Sequence, residues 1–141
     1  MFKIESSDVF GARVERRLRD EEVIWLTAVR PDGIPQPNPV WFLWDSGTII
    51  IFSEPNAKKV SHIRANPHVA LNFNTSAEGG DVIVITGEAR IETEPLSAPA
   101  YTAYMAKYRQ GITELQMTPE SYAAQFGAII RVTPEYLRGF N

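Results

Sequence analysis

The chain has 141 residues, of which 44% are hydrophobic and 22% charged, and its formal net charge is −3. This length suits one domain with one core, and the composition is that of an ordinary soluble globular protein. A negative net charge argues against a nucleic-acid partner bound through bulk electrostatics. The absence of cysteine excludes disulfides, thiolate metal sites and thiol nucleophiles.

The sequence also predicts a cytoplasmic protein with no membrane partner. No apolar run is long enough to span a bilayer. The N-terminus, "MFKIESSDVFGARVERRL", lacks the apolar stretch and small-residue cleavage site of a signal peptide.

A helix and three strands are predicted in the first part of the chain. Ser7 is expected to cap the helix, in which apolar side chains recur on one face at Phe10, Val14 and Leu18. The strands are expected over residues 23–29, 39–45 and 48–54. Pro37 and Pro39 cannot donate ladder hydrogen bonds, so the start of the second strand is expected at an edge or opening of the sheet.

Three helices and three strands are predicted in the remainder. The helices are expected from Asn56, as N-cap, to Ala65, over residues 95–109, and from Thr118–Pro119, with a loop around Gly111. The strands are expected over residues 68–74 and 81–92 and from Gly127, followed by a tail. Six short strands with tight turns favour a mostly antiparallel α+β fold with a closed or partly closed barrel.

Two lysines stand where a helix N-terminus favours negative charge. Lys58 and Lys59 follow the predicted cap, and the positive end of the helix dipole repels ammonium groups. One interpretation is an anion site, in which free backbone N–H groups and both lysines hold a phosphate. The other is that both lysines are solvated surface residues that tolerate a small dipole penalty.

The order and spacing of several segments resemble a known family. "LTAVRPDGIPQPNPVWFLW", "IIIFSE" and "NAKKVSHIRANPHVALNF" are similar to the pyridoxamine-5′-phosphate-oxidase-like, split β-barrel flavin-binding proteins. The ending "AYMAKYRQGITELQMTPESYAAQFGAIIRVTPEYLRGF" resembles a small subgroup described as coenzyme F-420-dependent. The resemblance extends from about Glu21 to Phe140 and implies a single six-stranded antiparallel split β-barrel domain over residues 1–141.

The resemblance also implies a homodimer with two cofactor sites at the subunit interface. The flavin or deazaflavin ring would lie against the backbone of Pro39, Val40 and Trp41. Phe52 and Ser53 would lie at the end of the next strand, where the hydroxyl of Ser53 could donate to the phosphate.

The resemblance also implies which residues hold the phosphate and which cover the ring. Lys58 and Lys59 would hold the phosphate, and Lys59 matches the family lysine better. The partner subunit's Arg138 and Phe140 could close over the ring. Glu54 departs from the pattern, since many relatives have a basic residue there, and this weakens the case for the long anionic tail of coenzyme F-420 relative to FMN.

The remaining candidate residues are assigned no catalytic or metal-binding role. Period-2 alternation places Trp41 on the strand face opposite Phe42 and Trp44, so Trp41 is assigned to the site and Trp44 to packing or the dimer interface. His62 and His68 form no metal-ligand pattern in the sequence, and no metal site is predicted. No G-x-S-x-G motif occurs. The catalytic residues are left unassigned, since the cofactor ring itself carries the hydride chemistry.

The resulting hypothesis is an oxidoreductase that uses coenzyme F-420 or FMN to transfer hydride to or from a small conjugated organic substrate. The alternative from another class is a non-catalytic protein that stores or carries the flavin or deazaflavin. Oxidation of pyridoxamine phosphate is a weaker reading because the chain is short for it. Haem binding is possible on the same fold, but neither histidine is placed as an axial ligand.

Overall fold

The computed structural model describes residues 2–140, which form one curled sheet and five helices. The strands are β1 Ile24–Val29, β2 Pro35–Val40, β3 Leu43–Asp45, β4 Thr48–Ser53, β5 His68–Asn72, β6 Val82–Ile91 and β7 Ala128–Phe140. The helices are α1 Val9–Asp20, α2 Lys58–Ala65, α3 Ala98–Lys107, α4 Arg109–Glu114 and α5 Pro119–Gln125. Within residues 2–140, no helix is both long and apolar enough to cross a membrane.

The sheet curls because its two edge strands are consecutive in the chain. The strand order is β2-β1-β5-β6-β7-β4-β3, and every neighbouring pair is antiparallel. Only Trp41 and Phe42 separate β2 at one edge from β3 at the other, so the sheet must bend until these edges approach each other. The predicted antiparallel α+β split barrel is confirmed.

The predicted strand count was six, whereas seven strands are present. The segment predicted as one strand over residues 39–45 is divided at Trp41–Phe42, where the chain leaves one edge of the sheet and enters the other. β2 also begins earlier, at Pro35, and pairs with β1 alone. Prolines at alternate positions suit such an edge strand, because they need no ladder donor on its free side.

Two apolar clusters lie on opposite faces of β4, which explains its unbroken apolar sequence. Ile49 and Ile51 face the inner cluster, which the curled sheet encloses together with α1 and α2. Ile50 and Phe52 face an outer cluster formed with α3, α4 and α5. A strand buried on both faces shows a continuous hydrophobic run rather than alternation.

Two helix caps lie one residue later than predicted. α1 is capped by Asp8 rather than Ser7, and the Asp8 carboxylate accepts a hydrogen bond of 2.6 Å from the Gly11 N–H. α2 is preceded by Ala57 rather than Asn56. The methyl side chain of Ala57 cannot accept a hydrogen bond, so α2 begins without the side-chain cap that asparagine would have supplied.

The division between β2 and β3 is held by two side chains from the end of α3. The Tyr108 hydroxyl accepts a hydrogen bond of 2.8 Å from the Phe42 N–H and lies 2.7 Å from the Glu22 carbonyl oxygen. The Lys107 ammonium donates to the Phe42 carbonyl at 2.9 Å and lies 3.8 Å from the centre of the Phe42 ring. These groups replace the ladder partners that Phe42 lacks between the two strands.

Tyr108→Phe is expected to lower the free energy of unfolding by about 1–3 kcal/mol. The Tyr108 side chain is buried. The substitution removes the hydroxyl that accepts from the Phe42 N–H and contacts the Glu22 carbonyl oxygen. Urea unfolding measures the change. Tyr101→Phe is the control, since the half-buried Tyr101 hydroxyl has no hydrogen-bond partner among residues 2–140, and its effect should stay within about 0.5 kcal/mol. Equal effects of the two changes would contradict the role given to Tyr108.

Candidate functional site

A cavity of about 320 Å³ lies beside the division between β2 and β3, and it is open to solvent. Its walls come from three separated parts of the chain: the end of β2, the corner from β4 to α2, and the helices α4 and α5. The lining residues are Pro39, Val40, Trp41, Phe52, Ser53, Glu54, Ala57, Lys59, Leu115, Tyr122 and Phe126. The volume is near the lower end of the roughly 300–1,000 Å³ of small-molecule pockets.

The Trp41 indole forms a flat wall of this cavity. It is stacked on Tyr108, with ring centres 4.6 Å apart and an angle of 3° between the planes. It also stacks on Tyr122 at 5.7 Å and 19°. Phe42 lies in the inner cluster and Trp41 packs against the outer one, as alternation predicted. Stacking on these two tyrosines therefore fixes the orientation of the Trp41 ring.

Gly111 makes room for this indole. The predicted loop around Gly111 is in fact the helix α4, whose backbone passes directly over the Trp41 ring. A Cβ atom at position 111 would lie only 2.8 Å from Trp41 Cη2, closer than real Cβ contacts allow. In the sequence Gly111 indicates a loop. In the fold it allows a helix to approach an aromatic ring closely, because glycine has no Cβ.

The corner from β4 to α2 supplies the positive end of the cavity. Residue Ala57 leaves the first N–H groups of α2 without a side-chain acceptor. The side chain of Lys59 is half-buried there, and burial lowers its pKa, an effect that the Glu54 carboxylate partly offsets. Among residues 2–140, no carboxylate lies within ion-pair distance of Lys59. The corner can therefore accept an anion.

The other predicted polar residues of this corner have different surroundings. Lys58 is exposed and lies outside the cavity lining. Ser53 is 2% exposed, and its hydroxyl donates to the Glu54 carbonyl oxygen at 3.1 Å. The Glu54 carboxylate accepts a hydrogen bond of 3.2 Å from the side-chain amide of Gln125. This bond ties α5 to the β4 corner across the cavity.

Arg138 and Phe140 lie far from the cavity of their own chain. The predicted tail is the continuation of β7, in which Ala128 pairs with Ser53 whereas Arg138 pairs with Val84. Ten residues separate Ala128 from Arg138, which is roughly 33 Å along a strand. Neither residue lines the cavity of its own chain.

Sequence reasoning missed the part of the cavity that α4 and α5 supply: Leu115, Tyr122 and Phe126. The start of α5 was predicted correctly, and Thr118 and Ser121 form a reciprocal capping box there. Nothing local in the sequence links this helix to Lys59, about sixty residues earlier, because the contact depends on how the helices pack on the sheet.

Both histidines lie outside the cavity lining. Strand pairing places the exposed His68 opposite Glu88, and Glu135 of β7 joins them, with one ligand atom of each within 4.8 Å of the others. The sequence did not predict this grouping, because its members come from three separate strands. His62 is half-buried in α2, and its Nδ1 has no hydrogen-bond partner among the described residues.

The comparison with known families identifies the class of protein. The sequence pattern of the pyridoxamine 5′-phosphate oxidase family matches residues 10–141. The match covers nearly the whole chain, and the protein belongs to this family. No curated protein matches the sequence.

Several solved structures share the fold. An F-420 reductase is 27% identical, with a TM-score of 0.69 over 88% of this chain and 94% of that one. HutZ, the haem storage protein from Vibrio cholerae, is 13% identical, with a TM-score of 0.69 over 98% and 95% of the two chains. General Stress Protein 26 from Bacillus anthracis is 18% identical, with a TM-score of 0.68 over 89% of each chain. The last two identities indicate a shared fold alone.

Proposed function

We propose that this protein is a cytoplasmic oxidoreductase that binds coenzyme F-420 or FMN and transfers hydride to or from a small conjugated organic substrate. In this proposal residues 1–141 act as a single flavin- or deazaflavin-binding domain. The observation that carries it is that a flat aromatic wall, Trp41, and an unpaired, half-buried cation, Lys59, line the same cavity.

The residues of the cavity fit both parts of such a cofactor. The ring would lie beside Trp41, with the backbone of Pro39 and Val40 along one edge and Phe52 at the end of β4. The phosphate would lie at the start of α2, where free N–H groups and Lys59 supply donors and positive charge. Ser53 would take part only if its hydroxyl turned away from the Glu54 carbonyl.

When bound, a flavin or deazaflavin supplies the hydride chemistry, and the chain binds it, orients it and controls access to it. The open side of the cavity leaves a route for a substrate. A ring that stays accessible to substrate after a second chain has joined the site would support an enzyme, whereas a fully enclosed ring would support the alternative, a non-catalytic carrier. Haem binding has less support, since neither histidine lines the cavity.

The choice between the two cofactors depends on opposing observations. Similarity to an F-420 reductase at 27% identity favours coenzyme F-420. The Glu54 carboxylate at the cavity rim disfavours a long anionic tail by like-charge repulsion. We favour coenzyme F-420 slightly, with FMN close behind.

The first test is a parallel titration of cofactor-free protein with FMN and coenzyme F-420, followed through ring fluorescence. Tighter binding of coenzyme F-420 is the expected result and would direct substrate screening toward enones. Tighter binding of FMN would move the search to flavin oxidases and reductases. Binding of neither would overturn the proposed function and leave the family assignment intact.

Lys59→Ala is expected to weaken cofactor binding by about 1.5–3 kcal/mol, the contribution of a hydrogen bond to a charged group. The same titration measures the change. Lys58→Ala is the matched control, because Lys58 is its exposed neighbour on the same turn, and a smaller loss is expected there. If Lys58→Ala had the larger effect, or if Lys59→Ala had none, the phosphate would have to bind elsewhere.

We also propose a homodimer in which a second chain completes each site. The cavity of one chain is small and open, and the partner subunit's Arg138 and Phe140 would cover the ring. In the single chain Phe140 is 59% exposed, and Tyr136, four residues earlier on the same strand, is 65% exposed. Exposed large side chains grouped on one strand are typical of an interaction surface.

Sedimentation velocity of cofactor-free protein is expected to show a dimer at micromolar concentration. Phe140→Ser should shift the population toward monomer, because it removes an apolar contact from the proposed interface. Val9→Ser is the control, since Val9 is also an exposed apolar residue, at 76%, but lies on α1 rather than on β7. A monomer at every concentration of the unmodified protein would count against a site built between two subunits.

A further inference from the structure

Two tyrosine hydroxyls next to the cavity share a single hydrogen bond. The Oη atoms of Tyr104 and Tyr122 lie 2.8 Å apart in a buried environment, and either hydroxyl can be the donor. Each hydroxyl carries one proton. Within residues 2–140 neither oxygen forms another hydrogen bond, so one of the two protons is left without an acceptor.

The surroundings of the two rings decide which proton is left over. Tyr104 is 0% exposed and lies behind the cavity wall, whereas Tyr122 is itself a lining residue. A spare proton on Tyr104 would be buried without any acceptor, which is unfavourable. When Tyr104 donates to Tyr122 instead, the spare proton belongs to Tyr122, which is the one of the two residues that lines the cavity and so is the nearer to a bound ligand or solvent.

We propose that Tyr122 donates a hydrogen bond into the cavity, that Tyr104 holds it in this orientation, and that the ligand bound there offers Tyr122 a carbonyl oxygen. This inference rests on the proposed function for the identity of the ligand. Tyr122 is thereby a specificity-determining residue and Tyr104 a positioning residue. Two ligands could supply the oxygen: the planar cofactor ring or a conjugated carbonyl substrate.

A neutral acceptor fits this end of the cavity better than an anion does. Burial raises the pKa of Tyr122, so its hydroxyl stays protonated and acts as a donor rather than a base. The rings packed around it are Trp41, Phe52 and Phe126, which are apolar. The two charged residues of the lining, Lys59 and Glu54, belong to the corner between β4 and α2. The cavity therefore offers an anion site at one wall and a neutral hydrogen-bond donor at another.

The direction of the shared bond can be tested without any cofactor. Proton NMR of the ligand-free protein should show a slowly exchanging hydroxyl signal that disappears in Tyr104→Phe. No second slowly exchanging hydroxyl signal is expected, because the Tyr122 proton exchanges rapidly with water through the cavity. The reverse assignment, with a protected Tyr122 proton and an exchanging Tyr104 proton, would overturn the proposal. This result does not depend on whether the proposed function is correct.

Binding experiments then identify the ligand that supplies the carbonyl. FMN and coenzyme F-420 are titrated into Tyr122→Phe, and cyclohex-2-enone is titrated into the cofactor-loaded protein. Loss of one neutral hydrogen bond should weaken one of these affinities by roughly three- to tenfold. Tyr101→Phe, at a half-buried tyrosine outside the cavity lining, should leave all three affinities unchanged.

The pattern of losses separates the two sources. A loss in the cofactor titrations assigns the carbonyl to the ring, and a loss confined to cyclohex-2-enone assigns it to the substrate. Tyr104→Phe should give a smaller loss of the same kind, because the donor stays but is less well held. Equal affinities of Tyr122→Phe and the unmodified protein in every titration would overturn the inference. If the unmodified protein bound neither cofactor, the proposed function would fail, whereas the exchange experiment would still decide the direction of the bond.

Discussion

The structure depends on the crossing of the chain from one edge of the sheet to the other at Trp41–Phe42. A curled sheet exposes unpaired backbone groups wherever its ladder is interrupted, and these must find partners. Here the Tyr108 hydroxyl and the Lys107 ammonium provide them, so the end of α3 is fixed to the opening of the barrel. The position of the helices over the outer face of β4 follows from this attachment.

The crossing also creates the cavity. Alternation places Phe42 inward and Trp41 outward, and the outward indole stacks on Tyr108 and Tyr122. The attachment of α3 brings α4 close enough that only glycine fits at position 111. The elements that satisfy the interrupted backbone are therefore the ones that hold the flat wall of the site.

Local patterns predicted most of this framework. Turn residues and apolar runs gave the strands on either side of the crossing, and the Thr118–Pro119 start of α5 was correct. The division of the second strand could not be read locally, since "PVWFLWD" has uniformly high strand propensity and is interrupted by side chains more than sixty residues away. The same reason hid Tyr122 from the site. Six of the residues assigned to the site by resemblance line one cavity, Pro39, Val40, Trp41, Phe52, Ser53 and Lys59, whereas the roles of all the assigned residues remain proposals.

The unpaired Lys59 connects stability with the proposed binding. Burial lowers its pKa, which means that the folded protein holds this cation at a cost in free energy. A salt bridge to Glu54 could reduce that cost, yet the Glu54 carboxylate is bonded to Gln125 instead. A phosphate bound at the start of α2 would supply the missing negative charge, and the desolvation that destabilises the free protein would strengthen the attraction. A buried charge that the protein compensates only in part is tolerated most readily where a ligand completes the compensation, which is the physical reason for proposing the phosphate at Lys59 rather than at its solvated neighbour Lys58.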